Sequence, residues 1–246
     1  MKRLIVTADD VGLHPGMTAG AIRAHREGIV TACSLSPNGA AFDDAVARLR
    51  EVPSLEVGVH LTLVEERALT TGRPMPRAPV GFILSSKKGI EAELRAQIER
   101  VLSAGLRVTH LNGHQHLHAW PAVSRIVRRL AREYGIGYVR RVRDRGGRAG
   151  LVRRASIIAL GALSRQGTND RTIGVLEAGN LRDVEPLLDF VLGITELVTH
   201  PGLGVDGYRH WGYDWEAETR ALCEPRLREV IAGRGIELVA PSFCNC

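Results

Sequence analysis

The chain has 246 residues, 44% of them hydrophobic and 24% charged, an ordinary balance for a globular protein able to bury a sizeable core. No apolar run approaches the ~20 residues that span a bilayer, so no transmembrane segment is expected. The formal net charge is +6 and the pI about 9.5, but aromatics are only 4% and no nucleic-acid motif accompanies the basic residues, which argues against a nucleic-acid partner.

In chain order, Leu4 to Ala8 reads as a first strand. The preceding Met1-Lys2-Arg3 is basic, but the apolar stretch before Asp9 is too short for a secretory signal, so a cytoplasmic protein is expected. Met17 to Glu27 reads as a helix stopped by Gly28, Thr31 to Leu35 as a strand, and Phe42 to Glu51 as a helix ended near Pro53. Leu55 to Leu63 is a third strand. The segment Glu65 to Lys88 carries Gly72, Pro74, Pro76, Pro79 and Gly81 and reads as a long loop, a lid or substrate wall. Ile90 to Ala104 is a helix, Arg107 to Leu111 a strand, Pro121 to Tyr134 a helix with proline at its start, and Tyr138 to Val142 a strand. Beyond it, Val152 to Ser164 and Val184 to Leu192 read as helices, and Thr172 to Val175 and Ile194 to Thr199 as strands. Trp215 to Leu222 and Pro225 to Ala232 read as helices, and Glu237 to Ala240 as a last strand.

This alternation predicts a parallel α/β sheet. Seven or so βα units in ~250 residues suit an irregular TIM-type (β/α) barrel forming one domain over 1–246, with a doubly wound open sheet as the alternative. The polar residues favour the barrel. Asp9 and Asp10, His60, the run His110 to His118, Arg140 and His200 all fall at or just after strand C-termini, which converge on one face of a barrel.

Those residues carry the chemistry. Four histidines, His110, His114, His116 and His118, lie within nine residues. Imidazole is the commonest protein ligand for transition metals. Adjacent Asp9 and Asp10 point apart within a strand, but at a strand end both can reach one pocket. One carboxylate can then hold a metal while the other acts as base. A bound divalent ion lowers the pKa of its water and polarises a carbonyl oxygen. Which of the clustered histidines join the site is left open by their spacing. His200, before Pro201-Gly202, sits at a strand tip and can donate a proton to a leaving group. His14, His25 and His210 belong to no constellation and read as surface or loop residues. The run Arg140-Arg141-Val142-Arg143-Asp144-Arg145, continuing to Arg148, Arg153 and Arg154, reads as a solvated loop. An anionic ligand, or peripheral contact with a membrane surface, is the other reading. Cys33, Cys223, Cys244 and Cys246 form no Cys-x-x-Cys pair, and the Cys244-Asn245-Cys246 tail reads as a frayed end with reduced thiols.

Taken together, the motifs resemble the YdjC-like carbohydrate deacetylase family, which includes chitooligosaccharide deacetylases. Thr7-Ala8-Asp9-Asp10-Val11-Gly12 is similar to its Ala-Asp-Asp-Phe-Gly start, and Gly28 to Thr31 with Asn38 to its next block. Gly58-Val59-His60-Leu61, the run Thr109 to His118 and His200-Pro201-Gly202 follow in order. The resemblance runs over nearly the whole chain. It implies a divalent ion, Mg²⁺ in the family with Zn²⁺ or another transition metal as alternatives, held by Asp10, His60 and His114. It implies Asp9 as general base and hydrolysis of an N-acetyl group from an amino sugar. By analogy with polysaccharide deacetylases, His200 is the acid and Arg140 orients Asp9. Asn38, His116 and His118 are assigned to substrate binding, and a homodimer is the expected assembly. Two departures stand out. Val11 replaces an aromatic residue, and Asn112-Gly113 replaces Asp-Ser, as in members associated with hopanoid lipid biosynthesis. That admits an amino-sugar lipid as substrate. A metal-dependent phosphoesterase is the competing enzyme, and a non-enzymatic sugar-binding protein the third reading.

Overall fold

The structure, a computed structural model, describes residues 1–77, 86–144 and 167–245. Its strands are β1 (Lys2–Val11), β2 (Ala32–Leu35), β3 (Glu56–Leu61), β4 (Val108–Gly113), β5 (Tyr138–Val139), β6 (Arg171–Ile173), β7 (Ile194–Thr199) and β8 (Ile236–Leu238). Its helices are α1 (Pro15–Arg26), α2 (Phe42–Arg50), α3 (Lys87–Ser103), α4 (Pro121–Glu133), α5 (Trp215–Leu222) and α6 (Leu227–Gly233). The strands run in the order β5-β4-β3-β2-β1-β7-β6, with β8 paired to the first residues of β1. Every pairing is parallel.

Parallel strands are covered on both faces, so their sequences are near-continuous apolar runs. Leu4, Ile5 and Val6 of β1 are fully buried, as are Val59 and Leu111 in β3 and β4. Helices supply the outer layer through single stripes. In α4 the stripe is Val123, Ile126, Val127 and Leu130, each buried and each contributing about 1.5–3 kcal/mol. The sheet curls until its edges meet. There a bridge pairs Asp144 with Thr172, and the buried Asn169 amide accepts from the Arg141 N–H (2.7 Å) and donates to the Arg141 carbonyl (3.0 Å). A side chain thus replaces part of the ladder between β5 and β6, and the result is the expected irregular TIM-type barrel.

Several boundaries differ from expectation for local reasons. Helix α1 starts at Pro15 because the His14 ring caps it, Nδ1 accepting from the Gly16 N–H at 3.0 Å. His14 is therefore more than a surface residue. Ser86 caps α3 in the same way, which puts Lys87 and Lys88 in the helix rather than the loop. The helix expected over Val184 to Leu192 is a 3₁₀ segment, Glu185–Phe190, squeezed between Pro186 at its start and Gly193. Of the tail expected to fray, Cys244 instead packs beside Ile5, Tyr138 and Val239, just after Ser242, whose N–H donates to Glu56 at 2.9 Å. The helix expected over Val152 to Ser164, together with Arg145, Arg148, Arg153, Arg154 and Cys246, lies outside the described residues. Among the described residues no helix is long and apolar enough to cross a membrane.

Candidate active site

The C-terminal ends of β1, β3, β4 and β7 surround a pocket of about 180 Å³ lined by Asp9, Asp10, His60, His114, His116, His200 and Tyr213, among others. Clefts of about 500 and 570 Å³ lie elsewhere, but neither is lined by a histidine. The smaller pocket is therefore the candidate site.

Two neighbouring carboxylates reach it because β1 breaks its own alternation. Asp10 has φ +64°, a left-handed conformation that residues with a Cβ seldom adopt. The register against β2 shifts between Ala8 and Val11, the signature of a bulge. Such a conformation costs about 1–3 kcal/mol and persists only where its surroundings enforce it. Here the reward is that Asp9 and Asp10 face one space.

Asp10, His60 and His114 form one buried group whose ligand atoms all lie within 4.8 Å of one another. His60 Nε2 and His114 Nδ1 each stand 3.1 Å from Asp10 Oδ1. One carboxylate and two imidazoles, converging and desolvated, fit a divalent ion. Burial opposes the charge on Asp10, but its hydrogen bonds to His114 and His60 hold its carboxyl well below the usual range. Burial likewise opposes the His114 imidazolium, yet bonds to Asp10 and Glu65 push its pKa up to about 10. Glu65 comes from the loop after β3, itself at φ +69°, and its Oε2 lies 2.8 Å from His114 Nε2. Trp211 stacks on the same ring, centroids 5.3 Å apart. The described part of the loop thus touches the site through Glu65, although none of its described residues lines the pocket.

Asp9 is held from below. The Arg140 guanidinium, the largest fully buried side chain, donates from NH1 to Asp9 Oδ2 (2.5 Å) and from NH2 to Asp9 Oδ1 (2.9 Å). Its opposite side donates to Glu196 Oε1 from Nε and NH2, at 3.0 and 2.8 Å. Glu196 also accepts from the Thr7 hydroxyl (2.7 Å) and the Tyr138 hydroxyl (2.8 Å). Burial raises the pKa of both carboxylates, but the Arg140 charge wins and holds both below the usual range. Arg140 therefore departs from the solvated loop expected for its run, as do the buried Val142 and Asp144. Across the pocket, His200 Nε2 lies 3.9 Å from Asp10 Oδ2, and Nδ1 lies 3.8 Å from Glu218 Oε1. Burial disfavours the His200 imidazolium, but Glu218 and then Asp10 and Asp9 raise its pKa.

The histidine cluster divides. His110, Asn112 and His114 follow one another at every second residue along an extended run, so they share a face. Left-handed Gln115 (φ +48°) and His116 (φ +57°) then end that run. His116 lines the pocket, whereas His118 is buried behind it with Nε2 3.1 Å from the Arg140 carbonyl. His110 is also buried, its Nε2 3.1 Å from Ser34 Oγ. Gly58 makes room for that ring: a Cβ there would stand 2.3 Å from it. Asn38 lies away from the pocket lining and donates to the Arg67 carbonyl (2.6 Å) and Glu93 (3.1 Å), bracing the loop. His210 comes within 4.0 Å of Glu65, closer to the site than expected. Sequence reading missed Ser34, Glu65, Glu196 and Glu218, and it valued Asn112 only as a departure.

Comparison with known proteins accords with this geometry. The family model described as YdjC-like protein matches residues 3–233. A carbohydrate deacetylase of Brevibacillus brevis is 42% identical over 142 residues, 54% of this chain and 57% of that protein. One from Oceanobacillus iheyensis is 35% identical over 150 residues, 54% of this chain and 63% of its own. The chain thus spans about six-tenths of the length of these relatives. A human carbohydrate deacetylase is 31% identical over 290 residues, 97% of this chain and 90% of that one. Among solved structures, an Enterococcus faecalis V583 protein, described as a proposed cellobiose-phosphate cleavage protein, shares the fold at TM-score 0.79, with 24% identity and 98% of each chain covered. With a match from residue 3 to residue 233, the chain belongs to the YdjC-like family.

Proposed function

We propose that this protein is a metal-dependent hydrolase that removes an N-acetyl group from an amino sugar and releases acetate. The observation that carries this reading is one pocket holding three kinds of group: the Asp10–His60–His114 triad, the carboxylate of Asp9 and the imidazole of His200. The relatives named carbohydrate deacetylase support the sugar and the acetyl group.

Asp10, His60 and His114 would hold the ion. Mg²⁺ is the ion expected from the family resemblance, and two imidazoles suit Zn²⁺ or another transition ion equally. When bound, it supplies Lewis acidity toward a water and an amide carbonyl. Asp9 takes the proton of the attacking water. A carboxylate has about four lone-pair sites. Arg140 and Asn112 fill both sites on Oδ1, and Arg140 fills one on Oδ2. One acceptor site, on Oδ2, is left for the water. Arg140 fixes its direction. The water oxygen adds to the acetyl carbon, the carbon–nitrogen bond breaks, and His200 gives its proton to the departing amine. The raised pKa of His200 suits that acid role.

The pocket is smaller than the ~300–1,000 Å³ of sites that bury whole drug-sized ligands, so it suits an acetamido group with the rest of the sugar beyond its mouth. Short chitooligosaccharides are the first candidates and an amino-sugar lipid the second. The phosphoesterase reading is weaker. Among the described residues no lysine or arginine lines the pocket, and Arg140 is committed to Asp9 and Glu196. Acetate release from N-acetylglucosamine, chitobiose, chitotriose and an N-acetylglucosaminyl lipid tests the proposal, with p-nitrophenyl phosphate as control. Metal-replete protein that releases phosphate and no acetate overturns it.

A further inference from the structure

The two imidazoles of the triad are each hydrogen-bonded through the nitrogen that faces away from Asp10, and those two nitrogens differ. His60 Nδ1 lies 2.8 Å from Asn112 Oδ1, which leaves Nε2 toward Asp10. His114 Nε2 lies 2.8 Å from Glu65 Oε2, which leaves Nδ1 toward Asp10. We propose that the site presents opposite ring nitrogens to its metal, Nε2 from His60 and Nδ1 from His114, and that Asn112 and Glu65 are the positioning residues that set this. The inference rests on the metal reading above and extends it to residues that neither the motifs nor the relatives assign.

Donor and acceptor counting fixes the His60 side. The Asn112 amide nitrogen lies 2.9 Å from Asp9 Oδ1 and 2.6 Å from Ser34 Oγ. A flipped amide would set its oxygen against the Asp9 carboxylate, so the nitrogen must face Asp9 and the oxygen must face His60. An amide oxygen only accepts, so His60 Nδ1 carries a proton, and Nε2, which faces Asp10, is the nitrogen left to lend its lone pair to an ion. The rest of the chain agrees. Ser34 accepts from Asn112 and donates to His110 Nε2 (3.1 Å), and His110 Nδ1 donates to Thr109 Oγ1 (3.1 Å). Thr109 donates to the Val57 carbonyl (3.3 Å), where the chain ends on backbone. Every link has one donor and one acceptor. His110, a non-ligand in the histidine run, thereby gains a role: it accepts the Ser34 hydroxyl and keeps Asn112 turned the right way.

On the other side, an ionised carboxylate only accepts, so Glu65 requires the proton on His114 Nε2. Rotating the His114 ring by half a turn would put carbon atoms against both Asp10 and Glu65. Trp211 covers its face. Glu65 itself is braced: its N–H donates to the Pro76 carbonyl at 2.8 Å, and the adjacent Glu66 accepts from the Tyr208 hydroxyl at 3.0 Å. Partners of this kind change metal affinity by ~10–100-fold in metal sites generally.

The test uses the full chain with histidine labelled in nitrogen-15 and loaded with cadmium-113. One-bond cadmium–nitrogen coupling is expected on Nε2 of His60 and on Nδ1 of His114. Coupling on the same atom type in both rings, or on neither ring, overturns the proposal. Substitution gives an independent arm, because the amide of Asn reaches where Nδ1 sits and that of Gln where Nε2 sits. With Co²⁺ as probe, His60→Gln should bind more tightly than His60→Asn, and His114→Asn more tightly than His114→Gln. The same preference at both positions overturns it. Asn112→Leu and Glu65→Leu should each weaken Co²⁺ binding ~10-fold or more, and Glu65→Gln, which keeps an accepting oxygen, should restore most of it. Cooperatively melting Leu variants with unchanged affinity also count against it. If a variant fails to fold, the couplings of the unsubstituted protein decide the matter. None of these readouts uses turnover, so a protein that binds metal this way and releases no acetate refutes the deacetylase reading alone.

Discussion

Arg140→Met should cost this protein about 4 kcal/mol, and the structure says why. Arg140 is 1% exposed and lies between Asp9 and Glu196, which are 2% and 0% exposed. Replacing it with an apolar side chain of similar length strands two buried carboxylates. Breaking a buried ion pair by removing one partner costs about 3–5 kcal/mol, because an uncompensated charge remains. Two stranded charges do not double that figure, since each can take up a proton instead. Domains of this kind are stable by about 5–15 kcal/mol, so the variant should fold with a sharply lowered urea midpoint at pH 7. The pH dependence has a definite sign. In the parent both carboxyls have folded pKa values below their unfolded ones, so their contribution is full above the unfolded values and is lost as pH falls. In the variant that contribution is gone. The gap between the two proteins should therefore be widest at neutral pH and should narrow toward pH 4. Adding Glu196→Gln to Arg140→Met removes one stranded charge and should recover about 1 kcal/mol or more. Urea titrations followed by circular dichroism measure all three proteins. A loss under about 1 kcal/mol, or a gap that widens on acidification, would refute the argument.

The remaining expectations concern the triad, the base and the buried histidines. His60→Ala should weaken divalent-metal binding by ~10-fold or more, and His116→Ala should matter less; unchanged metal content in all three alanine variants of Asp10, His60 and His114 would sink the assignment. Asp9→Asn keeps the shape but removes the proton acceptor, so metal should stay while turnover falls by ~10²-fold or more; full activity with metal bound would make Asp9 structural. Burial pushes the pKa of His110 and His118 down to about 4, below the ~6.5 of an unfolded histidine. Their neutral forms therefore favour the fold above ~6.5, and this is lost as pH falls from there to about 4. His118→Asn should flatten that part of the stability profile, and an unaltered slope would count against a neutral, buried His118.

Much of the frame is legible because a parallel barrel writes itself in continuous apolar runs punctuated by glycine and proline. Ile194–Thr199 and Trp215–Leu222 have the bounds expected from sequence. The others drift where a cap intervenes, as at His14 and Ser86, since neither ring nor hydroxyl leaves a trace in hydrophobic periodicity. Asp10, His60, His114 and His200 are visible because each is a polar residue at the end of such a run. His118 is the instructive case. It sits in the same cluster as His114, but the left-handed pair Gln115 and His116 turns the chain and sends it behind the site.

What spacing cannot show is support, because support is long-range. Asn112 and Asp9 are 103 residues apart, and Arg140 and Asp9 are 131 apart, with nothing local to mark either pair. One signal was nevertheless available. Glu196 stands in the middle of the apolar strand Ile194–Thr199, and a carboxylate buried there is untenable without a cation. That cation has to come from another strand of the same barrel, near its C-terminal end. Arg140, directly after Tyr138-Val139, meets the requirement, and Tyr138 completes it with its hydroxyl. The same logic ties the proposed base to the frame. Asp9 and Glu196 share one guanidinium, so the group that would accept a proton is held by the residue that neutralises the core. A substitution at Glu196 should therefore be felt at Asp9 although the two carboxylates need not touch.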